Sequence, residues 1–172
     1  METTFLIAFG IVFISYAIHT GIHALEHRKS KLVENKNLHP VIGISMFIGW
    51  FAWGFMCFSD PIKLIIPDWV RYAGLGLFAT GIFVFILAHQ KLKGFGDKEY
   101  LVTEGIYSKI RHPIYLGFVL MIIGFPIFLQ GFATLASGVL WIAHIMYWKT
   151  LEEKELEEKY QEYQEYKKRT WF

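Results

Sequence analysis

The amino-acid sequence predicts an all-α integral membrane protein of five transmembrane helices, the last two a tight hairpin, followed by a cytoplasmic C-terminal helix. Three observations lead there. Hydrophobic residues make up 54% of the 172 residues and aromatics 18%, with a mean hydropathy of +0.36, well above what a soluble domain of this length carries. The apolar residues gather into long blocks separated by short charged ones. Those charged stretches are unevenly basic: Lys and Arg concentrate in 28–36 and 91–111 and are sparse in 59–68 and 130–131.

The first block, 3–25, is long enough to cross about 30 Å of hydrocarbon at about 1.5 Å per residue. Its start, METTFLIAFG, lacks a positive n-region and a small-residue cleavage site, so it reads as a retained transmembrane segment and not a signal peptide. The basic loop EHRKSKLVENKNLH leads to a second block, 40–58, which turns through SDPIKLIIPDW into a third, 69–88. After HQKLKGFGDKEY and a polar stretch comes a fourth block, 115–129, interrupted by Gly124 and Pro126. Gln130-Gly131 predicts a tight turn into the fifth, 132–148. The tail TLEEKELEEKYQEYQEYKKR has charges at helical spacing, including the i,i+4 pair Glu155 and Lys159, and reads as a helix leaving the fifth crossing. Five crossings with this loop bias put the N-terminus outside and the C-terminus in the cytoplasm. The chain reads as one polytopic domain, 1–172, opening with a helix pair over 1–60.

Other features exclude whole classes. A net charge of +2 with no basic, aromatic-interleaved patch argues against nucleic acid. The single cysteine, Cys57, lies in an apolar run, which leaves neither a disulfide framework nor a thiolate metal cluster. GLGLFATG (74–81) and GFG (94–96) do not sit between a strand and a helix, so neither is a dinucleotide fingerprint. Gly74 and Gly81 instead allow close helix packing in lipid. His19, His23 and His27 recur every fourth residue on the first block, a spacing that stacks imidazoles on one face and suits a metal. His39, His89, His112 and His144 are isolated, however, and the favoured reading has no metal.

The stretch LVTEGIYSKIRHPIYLG, 101–117, places three charged residues, a histidine and two tyrosines where the fourth block begins. Gly105 permits a turn, and Pro113 pushes His112 out of the α region, so His112 stands at a fixed corner. The helix that follows offers free amides and a positive dipole end to an anionic group. Alternatively, Lys109, Arg111 and His112 meet lipid phosphates while Tyr107 and Tyr115 anchor the interface.

This stretch, with LEEKELEEKYQEYQEYKKR about 35 residues on, resembles the C-terminal half of the isoprenylcysteine carboxyl methyltransferase family, a group that includes phospholipid methyltransferases and many prokaryotic relatives. The resemblance covers about 86–169. It implies S-adenosylmethionine-dependent methyl transfer, with the cofactor held by Glu99, Tyr100, Leu101, Val102, Tyr107, His112, Pro113, Ile114, Tyr115 and Glu152. It implies an amphipathic or lipid-like acceptor, membrane lipids as surroundings and a prokaryotic cell membrane as location. On the acceptor side it points to Trp148 and Arg111. Eukaryotic members carry an arginine where this chain has Trp148, and a neutral indole cannot pair with a carboxylate, although it can stack on a cation or pack against lipid. A histidine common at the start of the first cofactor stretch is Glu99 here. Two other readings stay open at this point: a non-catalytic membrane module of the same fold, and a metalloenzyme built on His19, His23 and His27.

Overall fold

The computed structural model describes residues 2–27, 38–92 and 100–172. Among these the secondary structure is helical: α1 (Glu2–His27), α2 (Leu38–Ser59), α3 (Asp68–Leu92), a 3₁₀ turn (Gly105–Ser108), α4 (Pro113–Phe128), α5 (Phe132–Lys159) and α6 (Tyr163–Arg169). Helices α1, α2 and α3 are each long and apolar enough to cross a membrane, and α4 is a shorter apolar helix. Their surfaces fit that setting. Phe47, Phe51 and Phe58 of α2, Leu6 and Ile7 of α1 and Phe83 of α3 are exposed, as side chains solvated by lipid and not by water would be. The chain is a membrane protein.

The chain forms two compact units. The first, Met1–Lys63 with Gly131–Thr134, is built on α1 and α2. Its buried side chains are mainly apolar groups at helical spacing, Phe5, Ala8 and Val12 on α1 and Ala52, Trp53, Met56 and Cys57 on α2. Gly49 lets the two helices meet: a Cβ there would stand 2.8 Å from that of Ser15. Ser15 is itself buried, and its hydroxyl donates back to Ile11 O (2.9 Å). Beyond α2, Asp60 is fully buried and accepts from the backbone amides of Ile62 (2.9 Å), Ala133 (3.3 Å) and Thr134 (2.6 Å). Two of those amides belong to the first turn of α5, so Asp60 caps that helix from a distant part of the chain.

The second unit, Leu64–Gln130 with Leu135–Phe172, contains α3, α4, most of α5 and α6. Helices α3 and α4 meet along a glycine seam. A Cβ on Gly81 would lie 2.7 Å from Gly117 O, and one on Gly124 would lie 2.6 Å from Gly74 O. The two glycines on each helix are seven residues apart, about two turns, so both crossing points fall on one face. Phe78 on Phe125 (4.5 Å between ring centroids) and Phe85 on Phe118 (5.3 Å) fill the space around these contacts. The Arg71 guanidinium, paired with Asp68 at 3.0 Å, also reaches Phe128 O (3.4 Å) at the end of α4.

The expected turn at Gln130-Gly131 is present, but the left-handed residue is Gln130 (φ 59°) and not the glycine. Gly131 is needed for space: a Cβ there would lie 2.8 Å from the Asp60 carboxylate. The fifth apolar block and the charged tail form one uninterrupted helix, α5, to Lys159. Nothing between Trp148 and Lys159 breaks a helix, and Glu and Lys favour it.

Candidate functional site

The corner before α4 is built from local chemistry. Gly105 takes a left-handed conformation (φ 61°) that opens the 3₁₀ turn, and Ser108 Oγ donates to Gly105 O (2.7 Å) to close it. The chain then runs beside the C-terminal segment as a short parallel bridge, Ile110 to Trp171. Arg111 N donates to Trp171 O (3.1 Å), and Trp171 N donates to Lys109 O (3.0 Å). His112 is the N-cap of α4, with φ −120° and ψ 61°, and Pro113 fills the first helical position. Proline there costs nothing, because its missing amide would have had no partner within the helix. From below, Tyr166 on α6 donates its hydroxyl to Tyr107 O (2.6 Å).

The second unit holds a cleft of about 350 Å³ at this corner, within the size range of small-molecule sites. Leu92, at the end of α3, lines it, as do Tyr100, Leu101 and Val102, which lie outside the helices. Tyr107 comes from the 3₁₀ turn, Arg111 and His112 from the segment that leads into α4, and Pro113, Ile114 and Tyr115 from the first turn of α4. One face of α5 completes it with Glu152, Glu155, Leu156 and Lys159, joined by Tyr160 and, from α6, Tyr163 and Tyr166. Nine of the ten residues that the resemblance assigns to the cofactor therefore line one cleft; the tenth, Glu99, lies outside the described residues. Of the two acceptor-side residues, Arg111 lines the cleft and Trp148 does not. The Trp148 indole donates to His144 Nε2 (2.9 Å), one turn back on α5.

Two adjacent glutamates on α5 have different surroundings, since neighbouring helical residues point about 100° apart. Glu152 stands on the cleft wall with 45% of its side chain exposed, and its Oε2 lies 3.5 Å from His112 Nδ1. Desolvation pushes its carboxyl upward, but the hydrogen bond and charge of His112, with a hydrogen bond from Tyr115, outweigh this and hold it below the usual range. Glu153 is turned away from the cleft and collects cations: Arg111 Nε (3.2 Å), Lys149 Nζ (3.1 Å) and Lys167 Nζ (3.1 Å). His112 Nε2 lies 3.3 Å from the same carboxylate. Burial raises the Glu153 pKa, and the lysine hydrogen bonds and charges win, leaving it at about 2.

Arg111 reaches further. Its Nη1 donates to Thr170 O (2.6 Å) and Lys167 O (3.1 Å), tying α6 and the C-terminal segment to the corner. The imidazole of His112 is 4% exposed and stacks on the Tyr115 ring (5.6 Å, 17°). Burial, and then the Glu152 charge, push the Tyr107 hydroxyl upward, so it stays neutral and can donate. The arrangement is a small apolar cleft with carboxylates, a buried imidazole and neutral hydroxyls gathered on its walls.

The sequence reading did not pick out Glu153, Leu156, Lys159, Tyr160, Tyr163 or Tyr166. The one signal pointing to Leu156 and Lys159 was their helical spacing from Glu152, i+4 and i+7. Elsewhere, the His19 and His23 rings meet edge to face at 4.5 Å on α1, and the side chain of His27 lies outside the described residues. Among the described residues no group of three or more His, Cys, Asp and Glu is placed to hold a metal.

No curated protein and no solved structure matches the chain. The sequence model of one family, phospholipid methyltransferase, matches residues 69–163, which takes in α3 from its second residue, the corner, α4, all of α5 and the first residue of α6. That is more than half of the chain and nearly all of the cleft, and the chain belongs to the phospholipid methyltransferase family, a family of membrane methyltransferases.

Proposed function

We propose that the chain catalyses S-adenosylmethionine-dependent methyl transfer to an amphipathic or lipid-like acceptor at the cytoplasmic membrane interface. The observation that supports this reading is the convergence of Tyr100–Val102, Tyr107, His112–Tyr115 and Glu152 on one cleft inside the family match. The donor set fits the cofactor. Leu101, Val102 and Ile114 offer an apolar slot for the adenine, and Glu152 is an acceptor for an ammonium or a ribose hydroxyl. The first amides of α4 and His112 are donors for the carboxylate. When bound, the cofactor supplies a methyl group on an electrophilic sulfonium. The chain's own contribution is to hold the reactants in line, to exclude water with Tyr107, Tyr163 and Tyr166, and to keep Glu152 ionised.

We further propose that the short α4 and the apolar part of α5 cross the bilayer as a hairpin turning at Gln130, giving five crossings. Loop basicity then places the N-terminus outside, and the C-terminus and the cleft on the cytoplasmic side. The whole chain acts as one domain, 1–172, with 1–60 as a lipid-embedded helix pair and 86–169 as the cofactor half. An acceptor enters from the lipid, between helices, as its apolar part requires.

The experiment is transfer of a radiolabelled methyl group from S-adenosylmethionine into a membrane extract by the purified protein, followed by identification of the labelled species. A labelled lipid-soluble product is expected. Label that remains wholly in the cofactor across extracts of different composition would refute the catalytic reading.

A further inference from the structure

Tyr163, the first residue of α6, is 0% exposed, yet its side chain ends in a hydroxyl. That hydroxyl has no hydrogen-bond partner among the described residues, whereas its neighbour Tyr166 is satisfied by Tyr107 O. A phenol buried in this way is worse off than the phenylalanine of the same shape, so such groups are rare unless something else satisfies them. Tyr163 stands on the cleft wall, and a molecule in the cleft is the available partner.

The surroundings indicate what that molecule presents. The charges felt at Tyr163 are the Glu153 and Glu152 carboxylates, opposed by Arg111. The Arg111 guanidinium is already engaged with Glu153 and with the carbonyls of Lys167 and Thr170. Burial, then the Glu153 charge, hold the phenol protonated, so it is a neutral group with lone pairs to offer. A neutral oxygen beside a cleft carboxylate is suited to a cation that carries its own N–H groups.

We propose that Tyr163 is a ligand-binding residue of the cleft, its hydroxyl oxygen accepting a hydrogen bond from a primary ammonium group that Glu152 also binds. The proposal rests on the methyl-transfer reading of the cleft. Two molecules in that reaction can bring this chemistry: S-adenosylmethionine through its amino-acid end, and an acceptor with an aminoalkyl head group.

The test is Tyr163→Phe, which removes one oxygen and keeps the ring. Loss of an unpaired buried hydroxyl should leave Tm in detergent unchanged or raised, whereas a tyrosine needed only for the fold would lower it. Affinities are then measured by calorimetry with S-adenosylhomocysteine, with methylthioadenosine, which lacks the amino-acid end, and with short-chain phosphatidylethanolamine and phosphatidylcholine. If the ammonium is the cofactor's, the variant binds S-adenosylhomocysteine at least about tenfold more weakly and methylthioadenosine equally well. If it is the acceptor's, the loss appears with phosphatidylethanolamine and not with phosphatidylcholine. Wild-type affinity for all four probes, or equal losses for both nucleosides, overturns the assignment and leaves the methyl-transfer reading intact. Failure of the wild-type protein itself to bind either nucleoside would overturn that reading, and this proposal with it.

Discussion

Glu152 and Glu153 occupy adjacent positions and answer to different tests. Glu152 faces the cleft beside His112, so Glu152→Gln removes a charge there while keeping the shape. Losing a charge-assisted hydrogen bond costs about 1.5–3 kcal/mol, and the variant should bind S-adenosylhomocysteine at least about tenfold more weakly by calorimetry. His112→Ala should weaken it as well, and unchanged affinity in both variants would remove the assignment. Glu153 bears on stability instead. Its folded pKa of about 2 lies below the ordinary 4.5, so its contribution is complete above about pH 4.5 and is lost as pH falls towards 2. A displacement of that size corresponds to roughly 3 kcal/mol. The wild-type Tm in detergent should therefore drop through this window, and Glu153→Gln should start lower and fall less; parallel curves would contradict the ionic role. In the sequence these two glutamates are indistinguishable. What separates them is helix phase relative to a cleft whose far wall lies some fifty residues away along the chain.

At the scale of elements, the α3–α4 seam makes the sharpest demand. A Cβ on Gly124 would meet Phe78 N at 2.5 Å and Gly74 O at 2.6 Å, and backbone atoms cannot rotate aside. Gly124→Val should force the helices apart and lower Tm markedly, whereas Gly76→Ala, with open space around it, should be neutral or stabilising. Equal effects of the two substitutions would mean that the seam is not a tight contact. The α3 half of the seam, Gly74 and Gly81, was legible beforehand, because small residues in an apolar helix have few other uses, whereas Gly124 read only as an interruption of its block and Gly117 was not singled out. The corner was legible too: Gly105 frees the backbone for a left-handed turn and Pro113 restricts it, both by covalent geometry alone. The working face of α5 was not. Glu155 and Lys159 form the i,i+4 pattern of a solvated helix, and spacing cannot say that the same two residues border a cleft. The cap on α5 was hidden for another reason: Asp60 lies more than seventy residues from Thr134, and no local pattern joins them.

For the whole molecule, the acceptor follows from which charges are free. A carboxylate acceptor in a low-dielectric site needs a fixed cation opposite it. Arg111 is committed to Glu153 and to two carbonyls, Lys159 stands over the Tyr160 ring (5.5 Å to its centroid), and Trp148 carries no charge. The protein is therefore expected to methylate prenylcysteine carboxylates poorly and neutral or amine-bearing lipophilic acceptors better. The comparison is a methyl-transfer assay with a farnesylcysteine analogue beside phosphatidylethanolamine and a small lipophilic thiol. Efficient esterification of the analogue, unaffected by Trp148→Ala, would reverse this view of the acceptor side.

The glycine seam also bears on how freely the rest of the two helices can vary. Where main chain rests on main chain, alignment does not depend on matching side-chain shapes, so the outward faces of α3 and α4 carry no information about register. A saturation library across both helices would then show two classes of site: four small positions at which almost every replacement is lethal, and a majority at which any apolar residue serves. Mutational robustness on the lipid side and brittleness at four points are two consequences of the same contact. Together they would let the membrane-facing surface be redesigned for a different bilayer without moving the corner that holds His112.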